Sequence, residues 1–396
     1  MKILVLTSIY KDPEDSKDSE MTPVVHYFAR QWVRMGHEVE VIHNFNTYLL
    51  PIYFIPKNIL FKRTNFRVSL NLKQRKEKHY FMDGVSIHRI PIKKSIPRGP
   101  YSKHRLNNQL KRILELLKDR SFIPDVIVGH AENPQIFQLY KLKKEFPKAR
   151  TSIVFHGIEY LNRAGFEEWK DVYLNSIDKY GFRSESVHRK AQEKIGFNKT
   201  FFLCPSGIDD NYIIGDSLKG TADIHKILYV GQLIERKHLK TVIEALARKS
   251  DYKYELTVIG AGVQESEDRA FANELGVSVC FKGKLPHETV IDEMRKAGCF
   301  VMVSENEVFG LVYLEAMAQG CITIASEKEG MEGIIIDGKN GFLAKAGDTD
   351  SLCEVLDHIR QLSEEKKQSI RIQSLLTARE FSESAVAQKY LSNVIS

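Results

Sequence analysis

Short apolar runs alternate with amphipathic stretches twice along the 396 residues, and this double alternation constrains the fold more than any other feature. Residues 2–8 read as a strand, 24–35 as a helix, Gly36 and His37 as a turn and 38–43 as a strand, which together make one βαβ unit. Strand patterns follow at 85–90, 126–128 and 152–155, with helical patterns at 106–117 and 134–144. A second series starts near Lys226, with strands at 227–230, 255–259, 277–281, 300–303 and 322–325 and helices at 239–247 and 288–296. Strands that recur with a helix between them are joined by crossovers, so they pair in parallel and bury both faces under helices. Two such series predict an α/β chain of two Rossmann-like domains facing across a cleft, with a ligand where the strand carboxyl ends meet. The pattern breaks at about residues 200–225, in Pro205-Ser-Gly-Ile-Asp209 and between Gly215 and Gly220, which assigns 1–203 to the first domain and 204–380 to the second.

Composition narrows the class. With 43% hydrophobic and 28% charged residues and no apolar run near 18 residues, nothing reads as a membrane span. The apolar core of Met1-Lys-Ile-Leu-Val-Leu-Thr-Ser8 is too short for a signal peptide, so a cytoplasmic protein is expected. Cys204, Cys280, Cys299, Cys321 and Cys353 show no metal-ligand spacing and read as reduced core residues. Charge is unevenly divided: residues 1–200 carry 36 Lys and Arg against 21 Asp and Glu, while the remainder has 22 against 30. A basic first half favours anionic headgroups or a phosphorylated acceptor.

Two acids stand out in the segment Ser304-Glu-Asn-Glu-Val-Phe-Gly-Leu-Val-Tyr-Leu-Glu-Ala-Met-Ala-Gln-Gly320. Glu307 falls on the loop leaving the strand at 300–303, and Glu315 lies inside a helix at 310–319. At about 1.5 Å rise per residue, the start of that helix lies roughly 7 to 8 Å from Glu315, with unpaired N–H groups pointing outward. A diphosphate suits that position electrostatically, and carboxylates on either side would accept hydrogen bonds from hydroxyls at its two ends. A nucleotide sugar has that arrangement.

The segment closely resembles the E-x7-E motif of retaining GT-B glycosyltransferases, glycosyltransferase family 4, and the resemblance is densest from Lys226 to Asp348. It implies that Glu307 contacts the transferred sugar and Glu315 the nucleotide ribose. In Val230-Gly-Gln-Leu-Ile-Glu-Arg-Lys237 the family usually has Gly-Arg-Leu and then Lys-Gly. Lys237 matches as a diphosphate cation, but Gln232 replaces the arginine and His238 the glycine, leaving Arg236 to supply charge. By the same resemblance, Gly231, Gln232, Arg236, Lys237, Gly283, Lys284, Glu307, Phe309, Gly310, Leu311, Val312 and Glu315 form the donor site, and Glu307, His156 and Lys237 carry catalysis. His156 belongs to Ser152-Ile-Val-Phe-His156-Gly157, similar to a family strand end beside the reaction centre; Pro124-Asp-Val-Ile-Val-Gly-His130 resembles another. The family arrangement also implies a last helix within 381–396 crossing back to the first domain. No metal or other cofactor is implied, because helix dipole and cations offset the charge of the leaving diphosphate.

Other motifs are weaker. Gly260-Ala-Gly262 lacks the third glycine of a dinucleotide fingerprint and a following acid. Gly333-Ile-Ile-Ile-Asp-Gly-Lys339 has P-loop spacing, but Asn340 stands where Ser or Thr would bind magnesium, and the isoleucines suggest a strand. Asp348-Thr-Asp350 precedes a helix at 351–362 and reads as an N-cap rather than a metal motif. Pro205-Ser-Gly-Ile-Asp209 looks like a family turn. The first domain departs most from the family: residues 10–23 hold five acids and no glycine, which puts the acceptor contacts in doubt. Tyr48-Leu-Leu-Pro-Ile-Tyr-Phe-Ile-Pro56 followed by Lys57, Lys62, Arg63 and Arg67, with Lys103, Arg105, Lys111, Arg112 and Lys118 on a nearby helix, suits a membrane interface.

The expected function is a cytoplasmic retaining glycosyltransferase, peripheral on the inner membrane face. It would move a sugar from a nucleotide-diphosphate sugar, a UDP-sugar first, to a lipid-linked or glycan acceptor, with no nucleic-acid partner. The alternatives are a catalytically silent GT-B subunit and a soluble small-molecule glycosyltransferase. A phosphorylase or a sugar-nucleotide epimerase fits the motif string less well.

Overall fold

The computed structural model describes residues 1–10, 23–55, 75–95, 99–131, 133–157, 170–215, 218 and 223–396. The chain divides into two compact units, one formed by Met1–Arg183, Val187–Cys204 and Ala387–Ser396, the other by Ser184–Ser186 and Pro205–Val386.

The first unit holds strands β1 Lys2–Thr7, β2 Glu38–Thr47, β3 Lys78–Met82, β4 Val85–Lys93, β5 Val126–His130, β6 Arg150–Phe155, β7 Lys179–Phe182 and β8 Phe202–Leu203. Their order is β3-β4-β2-β1-β5-β6-β7-β8, and all neighbours run parallel except β3 and β4. Ile3, Leu4, Val5 and Leu6 of β1 are fully buried, as a central parallel strand demands. The β3–β4 hairpin was not anticipated. Its turn is Asp83-Gly84, with φ of 50° and 79°, the left-handed pair that a two-residue hairpin loop requires. The helix Val24–Arg34 buries Val24, Val25, Phe28, Ala29 and Trp32 along one face.

In the second unit, β9 Lys226–Val230, β10 Glu255–Ile259, β11 Val279–Gly283, β12 Cys299–Val301, β13 Ile322–Ser326 and β14 Phe342–Ala344 form an all-parallel sheet ordered β11-β10-β9-β12-β13-β14. The direction of winding reverses between β9 and β12, so their carboxyl ends flank the crevice where α/β sheets bind ligands. β12 stops at Val301, short of the expected Val303. The Met302 carbonyl leaves the ladder to accept from the Tyr313 hydroxyl at 2.8 Å.

Several expectations change. Ile334 to Ile336 form a turn rather than a strand; Asn340 stitches it, accepting from Ile336 N at 2.7 Å and donating to Ile334 O at 2.9 Å. Cys280 is exposed on edge strand β11, whereas Cys204, Cys299, Cys321 and Cys353 are buried free thiols. Asp348 does cap the helix Thr349–Gln361, accepting from Ser351 N at 2.9 Å. The Pro205–Asp209 turn needs its glycine: a Cβ on Gly207 would stand 2.5 Å from Glu383 Cα. Lys57, Lys62, Arg63 and Arg67 lie outside the described residues, as does most of the acidic stretch at 10–23. On the helix Lys103–Asp119, Arg112 pairs with Glu77 at 2.7 Å and Arg105 donates to Lys93 O at 3.1 Å, so part of its basic face is engaged within the chain. Among the described residues no helix is long and apolar enough to cross a membrane.

Candidate active site

Two loops leave the carboxyl ends of β9 and β12 side by side, and their backbones join: Glu305 N donates to Arg236 O at 2.7 Å. The β9 loop turns through a short 3-10 helix, Glu235–Lys237, and then His238 adopts φ of 50° before the helix Leu239–Arg248. A left-handed backbone favours glycine, which accounts for the glycine of the family pattern at this place.

This geometry brings Lys237 and Glu307, 70 residues apart in sequence, into direct contact through Nζ and Oε2. Both side chains are nearly sealed, at 10% and 13% exposure. Burial lowers the Lys237 pKa from its ordinary value, and the Glu307 carboxylate opposes that shift. Glu307 also accepts from Ser304 Oγ at 3.3 Å, and Arg236 Nη1 lies 3.9 Å from its Oε2. Thus Arg236 stands beside Lys237, whereas Gln232 is exposed.

Glu307 is held by a residue that sequence reasoning missed. Glu329, in the loop after β13, accepts from Asn306 N at 3.0 Å and Glu307 N at 2.8 Å, one amide on each carboxylate oxygen. Asn306 has φ of 54°, so this clamp fixes a strained turn. Nothing local to either segment signals the pairing.

Gly310, with φ of 84°, begins the helix Leu311–Ala318 and offers no side-chain cap. A Cβ there would meet the Tyr313 ring at 2.5 Å. The first-turn amides of Leu311 and Val312 therefore face outward without a capping side chain, the setting that suits an anion. The Phe309 ring is buried, 6.5 Å from that of Phe381. Glu315 is 13% exposed and faces His287 Nε2 at 3.4 Å, another unanticipated partner. Burial raises the Glu315 pKa and the His287 charge opposes it.

A pocket of about 240 Å³ opens at the carboxyl ends of β9, β10 and β11, lined by Val230, Gly231, Gln232, Ile259, Gly260, Ala261, Lys284, Leu285 and Val290. Gly283, with φ of 66°, shapes its rim and accepts from Gly260 N at 2.8 Å. The glycines of Gly260-Ala-Gly262 let two loops touch: Cβ atoms there would stand 1.8 Å from Gly231 O and 2.0 Å from Leu233 O. Gly231, Gln232, Gly283, Lys284, Arg236, Lys237 and Glu307 thus lie at or just after the carboxyl ends of strands of one sheet, and Gly310, Leu311, Val312 and Glu315 at the start of or within the helix that follows β12.

His156 directly follows β6 in the other unit, partly exposed, with Nε2 3.1 Å from His130 Nδ1. Burial pushes both imidazoles down, His130 to about 3, and the Arg183 cation adds to the effect.

Residues 220–373 match the family model described as glycosyl transferases group 1. A Rhizobium meliloti lipopolysaccharide core biosynthesis glycosyltransferase, LpsE, is 31% identical over 142 residues, 35% of this chain and 40% of that protein. A Corynebacterium glutamicum GDP-mannose-dependent monoacylated alpha-(1-6)-phosphatidylinositol monomannoside mannosyltransferase is 27% identical over 201 residues, 46% of this chain and 52% of the relative. The chain therefore spans about two-fifths to half the length of these curated relatives. Among solved structures, the lipopolysaccharide outer core galactosyltransferase WaaB in its apo form superposes with a TM-score of 0.68 at 17% identity, covering 100% of this chain and 99% of that one. The protein has the GT-B fold of two Rossmann-like domains, and the segment that carries Lys237, Glu307 and Glu315 matches the glycosyl transferases group 1 family.

Proposed function

We propose that this chain is a retaining, metal-independent glycosyltransferase that moves a sugar from a nucleotide-diphosphate sugar to a hydroxyl of a lipid-linked or glycan acceptor in cell-surface polysaccharide or glycolipid synthesis. The observation that carries the reading is the contact of Lys237 with Glu307 beside the uncapped start of the helix Leu311–Ala318, with Glu315 farther along that helix. A diphosphate at the helix start would take the Lys237 and Arg236 charges and the amides of Leu311 and Val312, releasing Glu307 toward the sugar. The nucleotide ribose would reach Glu315, and the base the apolar pocket ending at Lys284 and Val290.

In the transfer, the bond from the anomeric carbon to the diphosphate oxygen breaks as the acceptor hydroxyl bonds to the same face. The acceptor proton passes to the leaving phosphate oxygen. The cations and amides stabilise charge on the leaving group, while Glu307 orients the sugar. A UDP-sugar is the expected donor, and the name of the Corynebacterium relative makes GDP-mannose the alternative to test. Arg236 beside Glu307 favours an active enzyme over a silent subunit, because it supplies the cation that Gln232 does not. Exposed Leu50 and Phe54, at 52% and 75%, favour a membrane-touching acceptor site on the first unit.

The test is incubation with UDP- and GDP-sugars without acceptor, followed by nucleotide release. Slow hydrolysis of one donor that Glu307→Gln abolishes supports the reading, and proton NMR of the transferred sugar then reports whether the anomeric configuration is retained. Binding of nucleotide with no hydrolysis or transfer of any donor would favour the silent subunit.

A further inference from the structure

His156 is the end of a buried chain of polar groups. Its Nε2 lies 3.1 Å from His130 Nδ1, and His130 Nε2 lies 3.4 Å from the hydroxyl of Tyr390. His130 ends β5 and is fully buried, with the Phe28 ring stacked 5.7 Å away. Tyr390 comes from the last helix, Glu383–Ile395, through the part that belongs to the first unit. The rings of Phe28 and Trp32 hold it at 5.2 and 5.3 Å, and the Trp32 indole N–H donates to Ala387 O at 3.0 Å on the same helix.

The proton positions follow from acidity. Both imidazoles are neutral, since burial and the nearby Arg183 cation oppose their protonation. A neutral imidazole has one donor and one acceptor nitrogen. A phenol O–H is a stronger proton donor than a neutral imidazole N–H, and an imidazole nitrogen is a better acceptor than a phenol oxygen. Tyr390 therefore donates to His130 Nε2. The His130 proton must then sit on Nδ1, where it is donated to His156 Nε2, and the His156 proton is left on Nδ1.

We propose that His130 and Tyr390 are positioning residues that hold His156 as its Nδ1–H tautomer, so that His156 meets its ligand as a hydrogen-bond donor rather than as a base. The importance of His156 to transfer rests on the glycosyltransferase reading; the tautomer does not. A donor N–H suits an oxygen of the sugar or of the departing phosphate, and it excludes His156 from taking the acceptor proton.

Nitrogen-15 NMR of histidine-labelled full-length protein reads the tautomers directly. The expected result is a protonated Nδ1 and an unprotonated Nε2 for His156, and the same assignment for His130, whose protonated Nδ1 faces His156. Tyr390→Phe, which keeps the ring and its packing, should shift both histidines toward a mixture of tautomers while the melting temperature stays within a few degrees. It should also lower kcat about tenfold with the donor KM unchanged, since only orientation is lost. Protonated Nε2 on His156 in the unsubstituted protein, or tautomers unmoved by Tyr390→Phe, would overturn the proposal. If no donor turns over, the glycosyltransferase reading fails on its own, and the NMR result still decides the relay.

Discussion

Asp268 is a carboxyl group that the second unit buries without a hydrogen-bond partner among the described residues. It stands in the helix Glu265–Glu274 and is 1% exposed. Burial pushes its pKa up from 3.8 to about 6; the Lys240 charge opposes the shift and Glu267 and Glu265 add to it. An unfolded aspartic acid releases its proton near 3.8 and the folded one near 6, so between those values the folded state binds more protons. Stability from this group is therefore fully present below about pH 4 and is lost as pH rises through 6. The rise from 3.8 to about 6, at about 1.36 kcal/mol for each tenfold change in proton affinity, amounts to roughly 3 kcal/mol, the upper bound for the charged state. Asp268→Asn cannot ionise. It should match the unsubstituted protein at pH 4 and exceed it by up to roughly 3 kcal/mol at pH 7.5, with the gain developing across pH 4 to 6. Urea unfolding of the full chain at several pH values measures this, read with a probe in the second unit because the two units need not unfold together. An equal difference at pH 4 and pH 7.5, or a less stable variant at pH 7.5, would refute the reasoning by showing the carboxylate to be solvated or bonded in the fold. The same charge raises the Tyr229 phenol pKa, with burial as the larger cause, and the Tyr229 hydroxyl donates to Lys237 O at 3.3 Å. The strain thus lies under the loop that holds the site's cation, and the variant's donor affinity should be measured alongside its stability.

Glu315→Ala should weaken nucleotide diphosphate binding by roughly 1.5 to 3 kcal/mol, the worth of a hydrogen bond to a charged group; unchanged calorimetric affinity would remove Glu315 from the site. Glu329→Ala leaves the amides of Asn306 and Glu307 without their acceptor, so turnover should fall at least tenfold while free-nucleotide binding holds. Full turnover in that variant would mean the Glu307 loop keeps its shape unaided. His238→Gly relieves a left-handed backbone and should raise stability by up to about 1 kcal/mol, measured by thermal melting. A loss instead would mean that the contact of the His238 ring with Gly347 outweighs the strain. Replacing exposed Leu50 and Phe54 with serine should reduce sedimentation with anionic vesicles without lowering the melting temperature; no vesicle binding by the unsubstituted protein would end the membrane reading.

Periodicity made the core strands legible because their environment is uniform. β1, β5 and β9 each hold an apolar run of three or four residues, and β6, β10 and β13 keep apolar residues around one or two buried or half-buried Thr or Ser, as strands covered by helices do. Elements with mixed environments escaped. β3 is an edge strand exposing Phe81 at 65%, and only the Asp83-Gly84 turn marked it. The helix Glu364–Glu380 is polar on most faces and buries Arg371, whose guanidinium donates to Gly320 O at 2.8 Å. A buried arginine satisfied by a carbonyl looks, in sequence, like one more surface cation.

The site divides along the same line. Motif residues that act through backbone geometry were visible, since Gly310 and the position of His238 need left-handed φ and leave a trace in residue type. Residues that act through a partner far along the chain were not. Glu329 lies 22 positions from the Glu307 amide it holds, and His287 reaches Glu315 from a different helix. What joins Lys237 to Glu307 is the parallel pairing of β12 with β9, Cys299 against Ile227, which reverses the winding of the sheet and sets two loops side by side. Neither strand encodes that neighbour locally; it follows from the crossovers around both, so the motifs fix which groups are present while the topology fixes which of them touch.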